Sequence, residues 1–147
     1  GSGYWAIVLF GEQAASPHGG SSGKTLQDGE FVLIDIGSSL HSYGSDVTRT
    51  ILPSKSTISE ELMGIWKTVH ASQSAAVALM RANETCSDVD AASRKVITDA
   101  GYGEFFTHRL GHGLGLEMHE HPYLNGANSE KLKIGEVVTN EPVCLSI

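Results

Sequence analysis

The sequence predicts an α+β protein in which two helices cover a sheet. Three observations carry this. Nearly continuous β-branched and aromatic residues occupy 5–10 and 31–36, apolar residues then recur at helical spacing over 58–80 and 89–100, and the chain afterwards returns to strand and loop. With no repeat at a fixed period and no linker to divide it, residues 1–147 read as one domain.

Taken in order, Trp5 to Phe10 and Phe31 to Ile36 suit strands buried on both faces. Asp28-Gly29 marks the turn that leads into the second. Between them lies SPHGGSSGK, a Gly/Ser loop carrying His18 and able to approach a ligand closely. A third strand is expected at Thr48 to Leu52, ended by Pro53. Thr57 with Glu60 then forms a capping box for the first helix, along which Ile58, Leu62, Ile65, Trp66, Val69, Ala76, Val77 and Met80 recur. The second helix starts near Ser87, carries Val89, Val96, Ile97 and Ala100 on one face and stops at Gly101. A histidine-rich stretch from His108 to His121, a polar loop GANSEKLKIG and a short strand Glu136 to Thr139 complete the chain.

Composition narrows the function classes. The 40% hydrophobic and 18% charged residues match a folded protein, and the net charge of -7 disfavours phosphate backbones and anionic lipid. Neither nucleic acid nor a membrane is expected as a partner, whereas a bare cation suits the charge. Cys86 and Cys144 are too few for a disulfide framework and lie in no zinc pattern, so both read as ordinary thiols. The triplet Asn83-Glu84-Thr85 is a glycosylation sequon of low specificity, and the compartment stays open between cytoplasmic, which is favoured, and secreted.

The chemistry lies in carboxylates and imidazoles. Asp35 closes the apolar run VLID, and Asp46 follows eleven positions later in YGSDVTRT. A carboxylate in such surroundings needs a proton, an ion pair or a metal, and Arg49 offers the ion-pair alternative. Five of the seven histidines, His18, His108, His112, His119 and His121, fall in the glycine-rich loop or the stretch 108–121, where slim glycines let imidazoles converge. Glu141 ends a strand before Pro142. Asp35, Asp46, His112 and Glu141 together form an oxygen-rich set with one imidazole, suited to manganese, cobalt or zinc, and two carboxylates on adjoining strands can share two ions. Two-ion sites of this kind serve hydrolysis.

Four blocks, SPHGG, VLIDIGSSLHSYGSDVTRT, THRLGHGLGLEMHE and VVTNEP, resemble in order the family of methionine aminopeptidase, Xaa-Pro aminopeptidase, prolidase and creatinase. The resemblance spans about Trp5 to Val143. It implies the pita-bread fold, here incomplete, with an antiparallel-rich curved sheet covered by two helices. It further implies that Asp35 holds one ion, Asp46 bridges two, and His112 and Glu141 hold the other, with Mn2+ favoured over Co2+ or Zn2+. His18, His108 and His119 match histidines that orient substrate, and Glu141 would shuttle a proton to and from the attacking water. The activity implied is that of a metal-dependent exopeptidase cutting the bond before a proline at the second position, closer to Xaa-Pro aminopeptidase or prolidase than to methionine aminopeptidase.

The family's pattern also includes a fifth ligand, a glutamate on a later strand beyond this sequence, and helices before the strand at Trp5. The chain accordingly reads as part of a longer enzyme, doubtful in activity by itself. The alternative reading is a non-catalytic binding module recognising peptide, sugar or protein. Association into a homo-oligomer is left open.

Overall fold

The computed structural model describes residues 4–16 and 23–145. The chain opens with β1 (Tyr4–Phe10), β2 (Val32–Leu40) and β3 (Tyr43–Ile51), an antiparallel meander in that order. β2 and β3 run past the apolar stretches expected to form them, because backbone pairing continues through Gly37↔Asp46 and Ser38↔Ser45 to Leu40↔Tyr43. His41 and Ser42 close the hairpin with φ of 52° and 71°. Such a two-residue loop twists with its strands, and it usually contains the Asn or Gly that is missing here.

Register sorts these side chains into two faces. Ala6, Ile36 and Val47 form one row and Val8, Ile34 and Arg49 the next, while Asp35, Asp46 and Thr48 point to the other side. The expectation of strands buried on both faces is corrected: Val8, Ile36 and Val47 are 49%, 46% and 41% exposed. Antiparallel strands alternate their side chains, and the two helices of this chain pack on a different sheet.

Helix α1 (Glu60–Leu79) is capped by Ser59, whose Oγ accepts from the Leu62 amide at 3.2 Å. The expected box at Thr57 is displaced, because the Thr57 amide is taken by Asp28 Oδ1 at 3.0 Å and stays outside the helix. α1 buries small residues, Ser72 and Ala76, while Trp66 and Val77 are exposed. That choice follows from a close crossing with α2 (Cys86–Asp99), where Ser72 Oγ lies 2.7 Å from Ser93 Oγ. Gly101, with φ of 89°, ends α2 as expected, but Ala100 is exposed and does not share the buried face of Val89 and Ile97.

The helix pair covers a second antiparallel sheet, β4 (Gly111–Gly113) with β5 (Glu120–Leu124). Ala76, Cys86, Val89, Ile97, Phe106, Leu110, Leu124 and Leu132 form the core between them. Cys86 is buried there, and neither cysteine forms a disulfide. The expected strand at Glu136 to Thr139 is reduced to a single bridge, Gly113↔Val138. Backbone bonds nevertheless carry it along β4 as far as Glu141: Leu114 N to Val137 O at 3.0 Å, Thr139 N to His112 O at 2.8 Å and Glu141 N to Leu110 O at 2.9 Å. β4 is thus flanked on both sides. A bond from Gly44 N to Gly115 O, 2.8 Å, ties the meander to the turn after β4.

Candidate metal centre

Two sheets contribute to one cluster. Asp46 lies on β3 opposite Gly37, and Asp35 on β2 opposite Thr48, so the aspartates are diagonal neighbours on one face. His112 occupies the middle of β4 and is 2% exposed. Its neighbours must be small, since a Cβ at Gly111 would press into the Thr139 carbonyl and one at Gly113 into the backbone of Glu120 and His121. Glu141 arrives at the end of the segment running beside β4. Asn140 fixes that segment to α1, its Nδ2 donating to Gln73 O at 3.0 Å and its carbonyl accepting from Gln73 Nε2 at 3.2 Å.

His112 Nε2 stands 3.1 Å from Glu141 Oε1 and 3.6 Å from Asp46 Oδ2. Donor atoms of Asp46, His112 and Glu141 all fall within 4.8 Å of one another. The Nδ1 of His112 lies 2.9 Å from Gly113 O, and a carbonyl only accepts, so Nδ1 carries a proton. In the neutral ring this leaves the Nε2 lone pair facing two carboxylate oxygens, an arrangement that needs a positive charge between them. Burial pushes the Asp46 carboxyl above its ordinary range, and the charges of Glu141 and Asp35 push it the same way. One imidazole lone pair among crowded carboxylates is a donor set that fits a divalent cation.

The other residues singled out in the sequence divide. Asp35 stands beside the tight group and accepts a hydroxyl hydrogen bond from Thr48 at 2.8 Å. His119 joins the cluster edge-on to His112, with ring centres 4.3 Å apart. The contacts of His108 are instead with Phe106, 5.7 Å between ring centres, and with Arg109 O, 2.5 Å from Nδ1. His121 is exposed and belongs to a pair with Glu130 at 3.6 Å. His18 lies outside the described residues. Arg49 is on the opposite face of the meander, so the ion-pair alternative for the aspartates fails by strand parity.

Four further residues matter that sequence reasoning passed over. Thr139 and Thr48 bond the carboxylates of Glu141 and Asp35. Asp90, 1% exposed, pairs with Arg94 on α2, and together they grip the chain that leads into β4. The parity of Asp46-Val47-Thr48 on a strand could have revealed Thr48. An i,i+4 Asp–Arg pair reads only as a solvated helix face.

The whole chain, residues 1–147, matches the metallopeptidase family M24. It is 52% identical over 139 residues to an uncharacterized peptidase of Schizosaccharomyces pombe, covering 92% of this chain and 31% of the relative. It is 41% identical over 141 residues to a Xaa-Pro dipeptidase of Lactobacillus delbrueckii subsp. lactis, covering 96% and 36%. Among solved structures, the Xaa-Pro dipeptidase from Bacillus anthracis superposes with a TM-score of 0.89 at 40% identity, over 96% of this chain and 39% of that one. The chain therefore spans about a third of the length of the curated relatives it matches. Its two antiparallel sheets and helix pair correspond to part of the pita-bread fold that the solved relatives share. Family membership also implies divalent metal ions. With fold, donor cluster and a family match over residues 1–147 in agreement, this chain belongs to metallopeptidase family M24.

Proposed function

We propose that the full-length protein is a metal-dependent exopeptidase of Xaa-Pro aminopeptidase or prolidase type, which hydrolyses the peptide bond before a proline. The convergence of Asp46, His112 and Glu141 within 4.8 Å carries this reading. Asp35 and Asp46 would hold one divalent ion, and Asp46, His112 and Glu141 the other, with Mn2+ favoured over Co2+ or Zn2+. When bound, such ions polarise a peptide carbonyl and lower the pKa of water.

The chain's own residues supply the rest. Glu141 is 39% exposed at its side chain and can take a proton from water and return it to the leaving amine. His119, packed on His112 at the edge of the cluster, would donate to an oxygen of the substrate as charge develops there. His108 and His18 would orient substrate, as the family resemblance implies.

The test is cleavage by the full-length protein, with Mn2+, of an Xaa-Pro dipeptide and of a longer peptide with proline second. Cleavage of the dipeptide alone assigns prolidase type, and cleavage of the longer one assigns aminopeptidase type. No release of the residue before proline from either peptide overturns the reading.

A further inference from the structure

Two threonine hydroxyls bond carboxylates in and beside the cluster. Thr139 Oγ1 lies 2.6 Å from Glu141 Oε1, the same oxygen that stands 3.1 Å from His112 Nε2. Its acceptor side is already used, because the His112 amide donates to it at 3.0 Å. The hydroxyl has one hydrogen, and Glu141 at 2.6 Å outcompetes the His112 carbonyl at 3.4 Å for it. Thr139 therefore touches His112 through N, O and Glu141 through its carboxylate. On the other sheet, Thr48 Oγ1 donates to Asp35 Oδ1 at 2.8 Å, as the register pairing Asp35↔Thr48 dictates.

Both donors are two residues from a member of the cluster: Thr139 from Glu141, Thr48 from Asp46. In extended chain that spacing puts Thr139 on the side of Glu141, which it bonds, and Thr48 on the side of Asp46, facing Asp35 across the strand register. Both are neutral. A lysine or arginine in these places would orient the carboxylates but cancel the charge a cation needs, whereas a hydroxyl fixes the rotamer and leaves the charge in place.

We propose that Thr139 and Thr48 are positioning residues for metal binding, holding Glu141 and Asp35 in the rotamers that receive divalent ions. This rests on the reading above that the cluster takes such ions. The energetic role is pre-organisation: a carboxylate already held by one oxygen loses less freedom when the ion binds.

The experiment is calorimetric titration of Mn2+ into chelator-stripped full-length protein, comparing wild type with Thr139→Val, Thr139→Ser, Thr48→Val and Thr48→Ser. The valine variants are expected to bind about 10-fold or more weakly, and the serine variants, which keep the hydroxyl, within about threefold of wild type. Thr48 is exposed, so Thr48→Val should leave the metal-free Tm unchanged and separates positioning from folding even if Thr139→Val, which deprives the His112 amide of its acceptor, does not fold. Valine variants that bind Mn2+ as tightly as wild type, or serine variants as weak as valine, overturn this inference alone. A wild-type protein that binds no Mn2+ overturns the proposed function and this inference with it.

Discussion

Asp46 carries an electrostatic conflict within the cluster. Its partly buried carboxyl, with the charges of Glu141 and Asp35 beside it, is pushed above the ordinary range, so the folded state holds its proton more tightly than the unfolded chain does. Without metal, the ionised form costs stability at neutral pH, and the cost is relieved as pH falls through the raised value. Asp46→Asn should therefore raise the Tm of the chelator-stripped protein at pH 7, with the gain shrinking toward acid, and should weaken Mn2+ binding. Thermal melts across pH with and without Mn2+ check both. Gly111 makes the opposite kind of case, being indispensable for its lack of a side chain. Gly111→Ala would drive a Cβ into the Thr139 carbonyl and part the strand from the segment bearing Glu141. A loss of about 1–3 kcal/mol in denaturant unfolding is expected, with weaker metal binding. At this scale the sequence was informative: Asp35, Asp46, His112 and Glu141 were legible as a candidate set, and three of them, Asp46, His112 and Glu141, bring donor atoms within 4.8 Å of one another. Thr139 was not, because a threonine in a strand is ordinary until its partner is known.

Between residue and site stand the elements that aim the side chains, and α2 sets the chain that leads into β4. Asp90 accepts from Arg94 Nε at 3.0 Å, from Arg94 Nη2 at 2.9 Å and from the Leu110 amide at 3.1 Å. Arg94 in turn donates to Phe106 O at 2.6 Å and His108 O at 2.9 Å. One ion pair thus clamps alternate backbone groups just before β4. Asp90→Ala removes both carboxylate bonds to Arg94 and leaves the buried Leu110 amide without its acceptor, which should cost about 1–3 kcal/mol, measured by denaturant unfolding of the full-length protein. The helix itself was legible from its apolar spacing and terminal glycine, but its inward-facing Asp90 was not, since burial of a charge is decided by what lies opposite. The same holds for the displaced cap at Ser59 and the hairpin at His41-Ser42. Each depends on backbone partners that the local residues do not name.

Across the whole molecule, the cluster joins the β1-β2-β3 meander, which supplies Asp46, to the helix-covered sheet, which supplies His112 and Glu141. A cation held there links the two bodies and should stabilise the fold as a whole. At Mn2+ a hundredfold above its Kd, unfolding should cost about 2.7 kcal/mol more than in chelator, and the gain should vanish when chelator is restored. An unchanged unfolding midpoint would exclude a cation shared by the two sheets. From its residues alone, this protein was committed to an α+β class, to two helices between groups of strands, and to a short set of carboxylates and imidazoles, because period and composition are local properties. Tertiary structure decided which sheet the helices cover, that the meander keeps an exposed apolar face, and that His119 joins the cluster while the contacts of His108 lie with Phe106 and Arg109. Those outcomes depend on register and on packing between segments far apart in the chain, where a shift of one residue turns every side chain to the opposite face.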